Sequence, residues 1–108
     1  MTYILLMEFI ESPVFSKLVS NYLNDEEYSA LQWELILHPE NGDLIPGSGG
    51  LRKMRWAAKG HGKRGGIRII YYFKNTQGQI WLLTLYAKNE VENLSLKILR
   101  QIKEELEL

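Results

Sequence analysis

The chain has 108 residues, 45% of them hydrophobic and 24% charged, a balance that suits one globular domain over residues 1–108 and argues against a disordered chain. Its 13 basic and 13 acidic side chains cancel, and the absence of cysteine excludes disulfides, thiolate metal sites and a cysteine nucleophile. No apolar run approaches the roughly 20 residues needed to span a membrane, and the apolar amino terminus meets Glu8 without a basic leader, so a cytoplasmic domain with no membrane partner is expected.

Residues 3–10, dense in Ile, Leu, Tyr and Phe, read as a first strand. Ser12-Pro13 reads as a helix start, with Ser12 as the cap and Pro13 in the first turn. Val14, Phe15, Leu18, Val19, Tyr22 and Leu23 then fall at helical spacing. A second helix starts at Asn24 or Asp25, favoured by Glu26 and Glu27 near its positive end, and runs through Tyr28, Leu31 and Leu35 to Leu37. His38-Pro39 closes it, because a residue before proline avoids helical backbone. Residues 39–50 form a loop punctuated by Pro and Gly. Three strands follow, over 51–58, 67–73 and 79–87, joined by a basic glycine-rich turn at 59–66 and a hairpin turn at Asn75–Gly78. From a cap at Ser95, Leu96, Leu99, Ile102 and Leu106 mark a last amphipathic helix. The expected class is α+β: a small antiparallel sheet with two N-terminal helices and one C-terminal helix. One sheet face is expected to be buried and the other open, as antiparallel sheets permit.

The zero net charge hides a segregation. Residues 1–43 carry Lys17 against eight acids, a net of −7. Residues 44–89 carry nine basic side chains and no acid, and residues 90–108 return to −2. Ordinary surfaces mix both signs. Part of the basic segment can pack against the acidic first third, but a concentrated positive field also attracts polyanions by releasing their counterions. The basic segment coincides with the three consecutive strands, so the positive charge is expected on the open face.

Side chains alternate along a strand. Lys53 and Arg55 therefore oppose Met54 and Trp56, and Arg68, Ile70 and Tyr72 oppose a core set of Ile67, Ile69, Tyr71 and Phe73. Lys53, Arg55, Arg68 and Tyr72 meet on one face if the hairpin register allows. The plain alternatives are an arginine reaching to solvent from its strand and a half-buried sheet tyrosine. Other chemistries lack support. His38 and His61 lie far apart without metal-ligand spacing. Ser48 lacks the nucleophile-elbow pattern, and the 60–66 glycine turn joins two strands without the Gly-Lys-Ser/Thr ending of a phosphate loop. No metal and no cofactor are expected.

The run GSGGLRKMRWAAKGHGKRGGIRIIYYF, followed by LLTLYAKNE and the last helix, resembles the HigB-type branch of the RelE/ParE superfamily of bacterial toxins. The likeness extends from about Phe9 through Leu99 and includes YLNDEEYSALQ in the early helices. It implies a RelE-like fold and a small cytoplasmic toxin paired with a cognate antitoxin, often a helix-turn-helix protein. For many RelE-like members it implies mRNA cleavage in the ribosomal decoding site, making ribosome and mRNA further partners. The superfamily's active-site arginine follows Gly-x on the central strand, which falls on Arg68 in Gly66-Ile67-Arg68. The basic residues of the preceding strand fall on Lys53 and Arg55. Where RelE-like enzymes often carry Gly-Lys-Arg, this chain reads Ala87-Lys88-Asn89; Lys88 matches and Asn89 replaces the arginine. A tyrosine that some members carry farther on falls near Ser95.

Metal-independent RNA cleavage is compatible with these residues. The ribose 2′-hydroxyl attacks the adjacent phosphorus in line, and arginines stabilise charge growing on the phosphate and leaving 5′ oxygens. A lysine between like charges has its ammonium form disfavoured and can serve as a base. Lys53, flanked by Arg52 and Arg55, is the first choice, with Lys88 or Tyr72 to donate or relay a proton. Arg52, Arg55, Lys59, Lys63, Arg64 and Asn89 are the expected RNA and ribosome contacts. Two other readings stay open. One is a non-enzymatic toxin of the ParE kind that binds DNA gyrase. The other is a plain RNA-binding module with Trp56 or Tyr86 stacking on bases.

Overall fold

A computed structural model describes residues 7–58, 66–88 and 94–108. In chain order these form β1 (Glu8–Glu11), α1 (Pro13–Tyr22), α2 (Asp25–Leu37), β2 (Asp43–Leu44), β3 (Leu51–Trp56), β4 (Ile67–Lys74), a short 3-10 turn (Asn75–Gln77), β5 (Gln79–Ala87) and α3 (Leu96–Glu105). The start of the expected first strand, and with it Lys59, His61, Lys63, Arg64 and Asn89, lie outside the described residues.

The helix starts follow from their capping side chains. Ser12 Oγ accepts the Phe15 amide at 3.0 Å with Pro13 in the first turn. Asn24 and Glu27 cap α2 reciprocally: Asn24 Oδ1 accepts the Glu27 amide at 2.8 Å and Glu27 Oε1 accepts the Asn24 amide at 2.9 Å. Ser95 Oγ accepts the Ile98 amide at 3.2 Å to start α3. No helix among the described residues is long and apolar enough to cross a membrane.

The three expected strands are the centre of a five-stranded sheet in the order β1-β5-β4-β3-β2. Strand β1 lies parallel to β5, with Phe9 opposite Ile80, and the other neighbours are antiparallel. The expected 39–50 loop contains the two-residue edge strand β2, where Asp43 faces Lys53. Between β4 and β5 the pairing slips: Ile70 lies opposite Thr84 and Tyr71 opposite Leu82. Leu83 therefore has no opposite number on β4, which makes a β-bulge. Its carbonyl accepts the Ser12 hydroxyl at 2.6 Å, tying the start of α1 to β5.

One sheet face buries Ile67, Ile69, Tyr71, Ile80, Leu82 and Leu85 against Phe15, Leu31 and Leu35 of α1 and α2. Each such side chain contributes about 1.5–3 kcal/mol by leaving water. The other face is not open as expected. Leu51, Ile70, Leu83 and Tyr86 form a second core with Leu99 of α3, joined by Tyr72, Trp81, Ile102 and Leu106. The last helix lands there because its apolar side needs a partner and the first face is already covered. Arg100 fastens it by donating from Nε (3.0 Å) and Nη2 (2.9 Å) to the Gly47 carbonyl. Lys103 Nζ donates to the Gly49 carbonyl at 2.7 Å. Gly47 and Gly49 both have positive φ (74° and 77°), the backbone turn that presents these carbonyls.

Candidate functional site

The β3–β4 register sets Arg55 directly opposite Arg68, and the β4–β5 register sets Arg68 opposite Tyr86. Lys53 lies opposite Ile70, two residues and about 7 Å along the strand from this pair. Arg68, Arg55, Lys53 and Tyr86 thus share the face that α3 partly covers. Arg55 is exposed, but Arg68 is only 9% exposed, deep enough for its position to be set by packing.

Gly66 makes the room. Its φ is +46°, and a Cβ built there would lie 3.1 Å from Arg68 Nη1 and 3.4 Å from Arg55 Cγ. Both arginine side chains therefore pass close to a residue that has no side chain. Lys88 stands at the same end of the sheet: it follows Ala87, which pairs with Ile67, and its amide bonds the Gly66 carbonyl at 3.4 Å. Its side chain is exposed. Arg68, Arg55, Lys53 and Lys88 form a cationic rim around a floor in which Tyr86 is 5% exposed. The facing arginines concentrate positive charge at this end of the sheet.

Two expected site residues are placed elsewhere. Arg52 points to the opposite face, where its Nη1 donates to the Gly42 carbonyl at 2.8 Å and the Glu40 carbonyl at 3.2 Å, holding the loop that leads to β2. Lys53 therefore lacks one of the two like charges expected to flank it. Tyr72 sits opposite Leu51, about 13 Å along β4 from Arg68, with Lys103 Nζ 5.4 Å above its ring. It belongs to the attachment of α3. Trp56 packs against the first core, which removes it from the arginine face.

Tyr86 and Gly66 are the residues that strand alternation alone did not assign to the site. The signal for Gly66 was its place two residues before Arg68. For Tyr86 there was no clear signal, because the bulge at Leu83 breaks the alternation along β5. Burial raises the Tyr86 pKa, with the Arg68 charge acting the other way, so the phenol is neutral at ordinary pH. Beside it lies a cavity of about 270 Å³ reached by Lys53 and Tyr86. A wider groove of about 770 Å³ lies at the end of α2, lined by Glu34, Glu40 and Phe73. Phe73 belongs to the first core face and the two acids repel phosphate, so that groove is separate from the arginine site.

No family model matches the chain. Its backbone superposes on the E. coli toxin RelE, in the free state of a double-arginine mutant, with a TM-score of 0.57 at 13% identity, covering 80% of this chain and 87% of that one. The fold is RelE-like. A conserved hypothetical protein from Helicobacter pylori, solved in solution, gives a TM-score of 0.52 at 20% identity over 80% of this chain and 99% of its own. In this RelE-like fold the cationic rim lies at the Gly66 end of the central strands, and α3 closes the sheet face beside it.

Proposed function

We propose that the protein is the toxin of a toxin–antitoxin pair of the HigB type, and that it stops translation in the cytoplasm by cutting mRNA on the ribosome. The observation that supports this reading best is the Arg55–Arg68 pair directly opposite across two strands, with Arg68 buried against Gly66. A rigid guanidinium offers a phosphate two parallel donors, and the facing arginine adds a second charge.

In the proposed reaction the ribose 2′-hydroxyl attacks the neighbouring phosphorus, the P–O5′ bond breaks, and a 2′,3′-cyclic phosphate and a 5′-hydroxyl end result. Arg68 and Arg55 stabilise the charge that grows on the phosphate oxygens, a contribution worth about 3 kcal/mol for one well-placed donor. Lys53 takes the 2′-hydroxyl proton, and Lys88 at the exposed edge gives one to the leaving 5′ oxygen. Alignment of the 2′-hydroxyl for in-line attack is left to the ribosome, and orientation of that kind can supply several kcal/mol. The partners are the ribosome, its mRNA and a cognate antitoxin of the helix-turn-helix class that keeps the cationic rim from RNA.

Brief expression followed by primer extension on cellular mRNA tests the reading. Discrete cuts are expected in translated messages, and none in copies whose start codon is removed or in cells expressing Arg68→Gln. Growth arrest without any such cuts would overturn it and favour a protein-binding toxin.

A further inference from the structure

We propose that the outer face of α2 is a docking surface for a cationic amphipathic helix of another protein, which lays its apolar side along Ala30, Trp33 and Leu37 and its lysines or arginines against the acids around them. This surface lies across the sheet from the arginine face, and the inference stands apart from the reading of that face.

Helix α2 is apolar on two sides. Leu31 and Leu35 are fully buried in the first core, whereas Trp33 is 62% and Leu37 66% exposed, the two most exposed large apolar side chains among the described residues. Ala30, Trp33 and Leu37 follow at spacings of three and four, so they line one outer stripe. A helix on the surface of a globular protein turns polar residues outward, and one that is apolar all round is ordinarily covered on both sides. At Leu37 the stripe runs into the groove at the end of α2, where Pro39 and Phe73 add apolar surface beside Glu34 and Glu40. From Glu26 to Leu37 the outer face spans about 16 Å, three turns for a partner helix to follow.

Charge chooses the partner. Residues 24–43 carry six acids and neither Lys nor Arg. Glu26, exposed, heads the stripe, and Glu34 and Glu40 stand at its far end. The Glu34 carboxylate accepts Asn41 Nδ2 at 2.8 Å and keeps acceptor capacity for a lysine or arginine. An anionic membrane surface is repelled by these acids, because helices that lie on such surfaces carry Lys and Arg on their polar side. A second copy docked through the same face would bring two acidic surfaces together. A basic helix with one apolar side covers the exposed tryptophan and neutralises the acids at once.

The test is an NMR titration of the intact, isotope-labelled protein with three synthetic helical peptides of about four turns each. One is made of leucine and lysine with leucine along one side, the second has glutamate in place of lysine, and the third has the same lysines with glutamine in place of leucine. The leucine–lysine peptide is expected to bind roughly tenfold more tightly than either of the others. It should move the Trp33 indole signal and leave those of Trp56 and Trp81 in place. Trp33→Gln combined with Leu37→Gln keeps helix propensity and should weaken this binding roughly tenfold. The melting temperature should stay unchanged, because both side chains are exposed. Glu40→Gln should weaken binding less and flatten its dependence on salt. No binding, equal binding of either control peptide, or parental binding by the double variant would overturn the proposal. A dimer in sedimentation that the double variant abolishes would also overturn it, since the face would then belong to a second copy.

Discussion

Gly66 and Arg68 form a single device at the residue scale. A Cβ at 66 would press on Arg68 Nη1, and a φ of +46° is costly for any residue with a side chain. Gly66→Ala is therefore expected to cost about 1–2 kcal/mol of stability and to lower mRNA cutting by shifting the guanidinium. Urea unfolding and primer extension measure the two effects, and a variant that is destabilised but cuts normally would separate Gly66 from the site. Arg68 cannot be treated as a surface residue, because only 9% of it is exposed on the strand between Arg55 and Tyr86. Arg68→Ala should leave a void and cost about 1–3 kcal/mol, which confuses lost folding with lost chemistry. Arg68→Gln keeps most of the packing and removes the charge and the fork. It should reduce cutting about a hundredfold while the fold survives, and cutting at the parental rate would show that Arg68 has no catalytic part. The identity of this arginine was readable from Gly66-Ile67-Arg68, but its burial was not, since burial depends on how distant parts of the chain pack around the strand.

At the scale of elements, three helix starts were visible in the sequence because caps are local. A serine or asparagine oxygen reaches an amide three residues on, and nothing distant alters that geometry. Ser12 nevertheless does more than Ser95. It caps α1 and also donates to the Leu83 carbonyl in the bulge, whereas Ser95 is exposed and only caps α3. Ser95→Ala should cost about 1 kcal/mol. Ser12→Ala should cost about 2–3 kcal/mol, because it leaves a buried carbonyl without its donor as well. Equal losses in chemical denaturation would mean that the tie to β5 contributes nothing. The bulge itself was invisible. Ile80, Leu82, Leu85 and Ala87 all belong to the first core, so the spacing changes from two to three at Leu83, and a run of apolar residues on both sides hides the change. Sequence alternation alone would carry Tyr86 across the wrong face.

For the whole molecule, the segregated charge and the buried phenols make separate predictions. Nine basic side chains without one acid over residues 44–89 should bind RNA with counterion release, each neutralised phosphate adding about −0.7 to the log–log slope against salt for a single strand. Titration of a short RNA at several salt concentrations measures it, and a flat plot would remove this segment as the electrostatic footprint. Tyr28, Tyr71 and Tyr86 all have raised pKa values, burial being the largest cause for each. For Tyr28 the Glu11 carboxylate that accepts its hydroxyl adds to the rise. The unfolded chain ionises these phenols near pH 10, before the folded chain does. Their contribution to stability should be complete below about pH 10 and fall as the pH climbs through the folded values. Urea unfolding at pH 8, 10 and 11 checks the sign, and unchanged stability across that range would contradict it.

The amino-acid sequence by itself determined the helix starts, the three central strands, the order of elements and the separation of acidic from basic residues. These follow from short-range hydrogen bonds, periodic apolar side chains and composition. Only the tertiary structure decided that Arg55 faces Arg68, that Arg52 turns away to hold a loop, that Tyr72 packs beneath Lys103 and that Tyr86 joins the arginines. Register is a matter of pairing between distant residues, and one bulge shifts its phase. The tertiary structure also decided that the cationic face is half covered, because an amphipathic helix buries its apolar side on whichever face remains uncovered, and here that face carries the arginines.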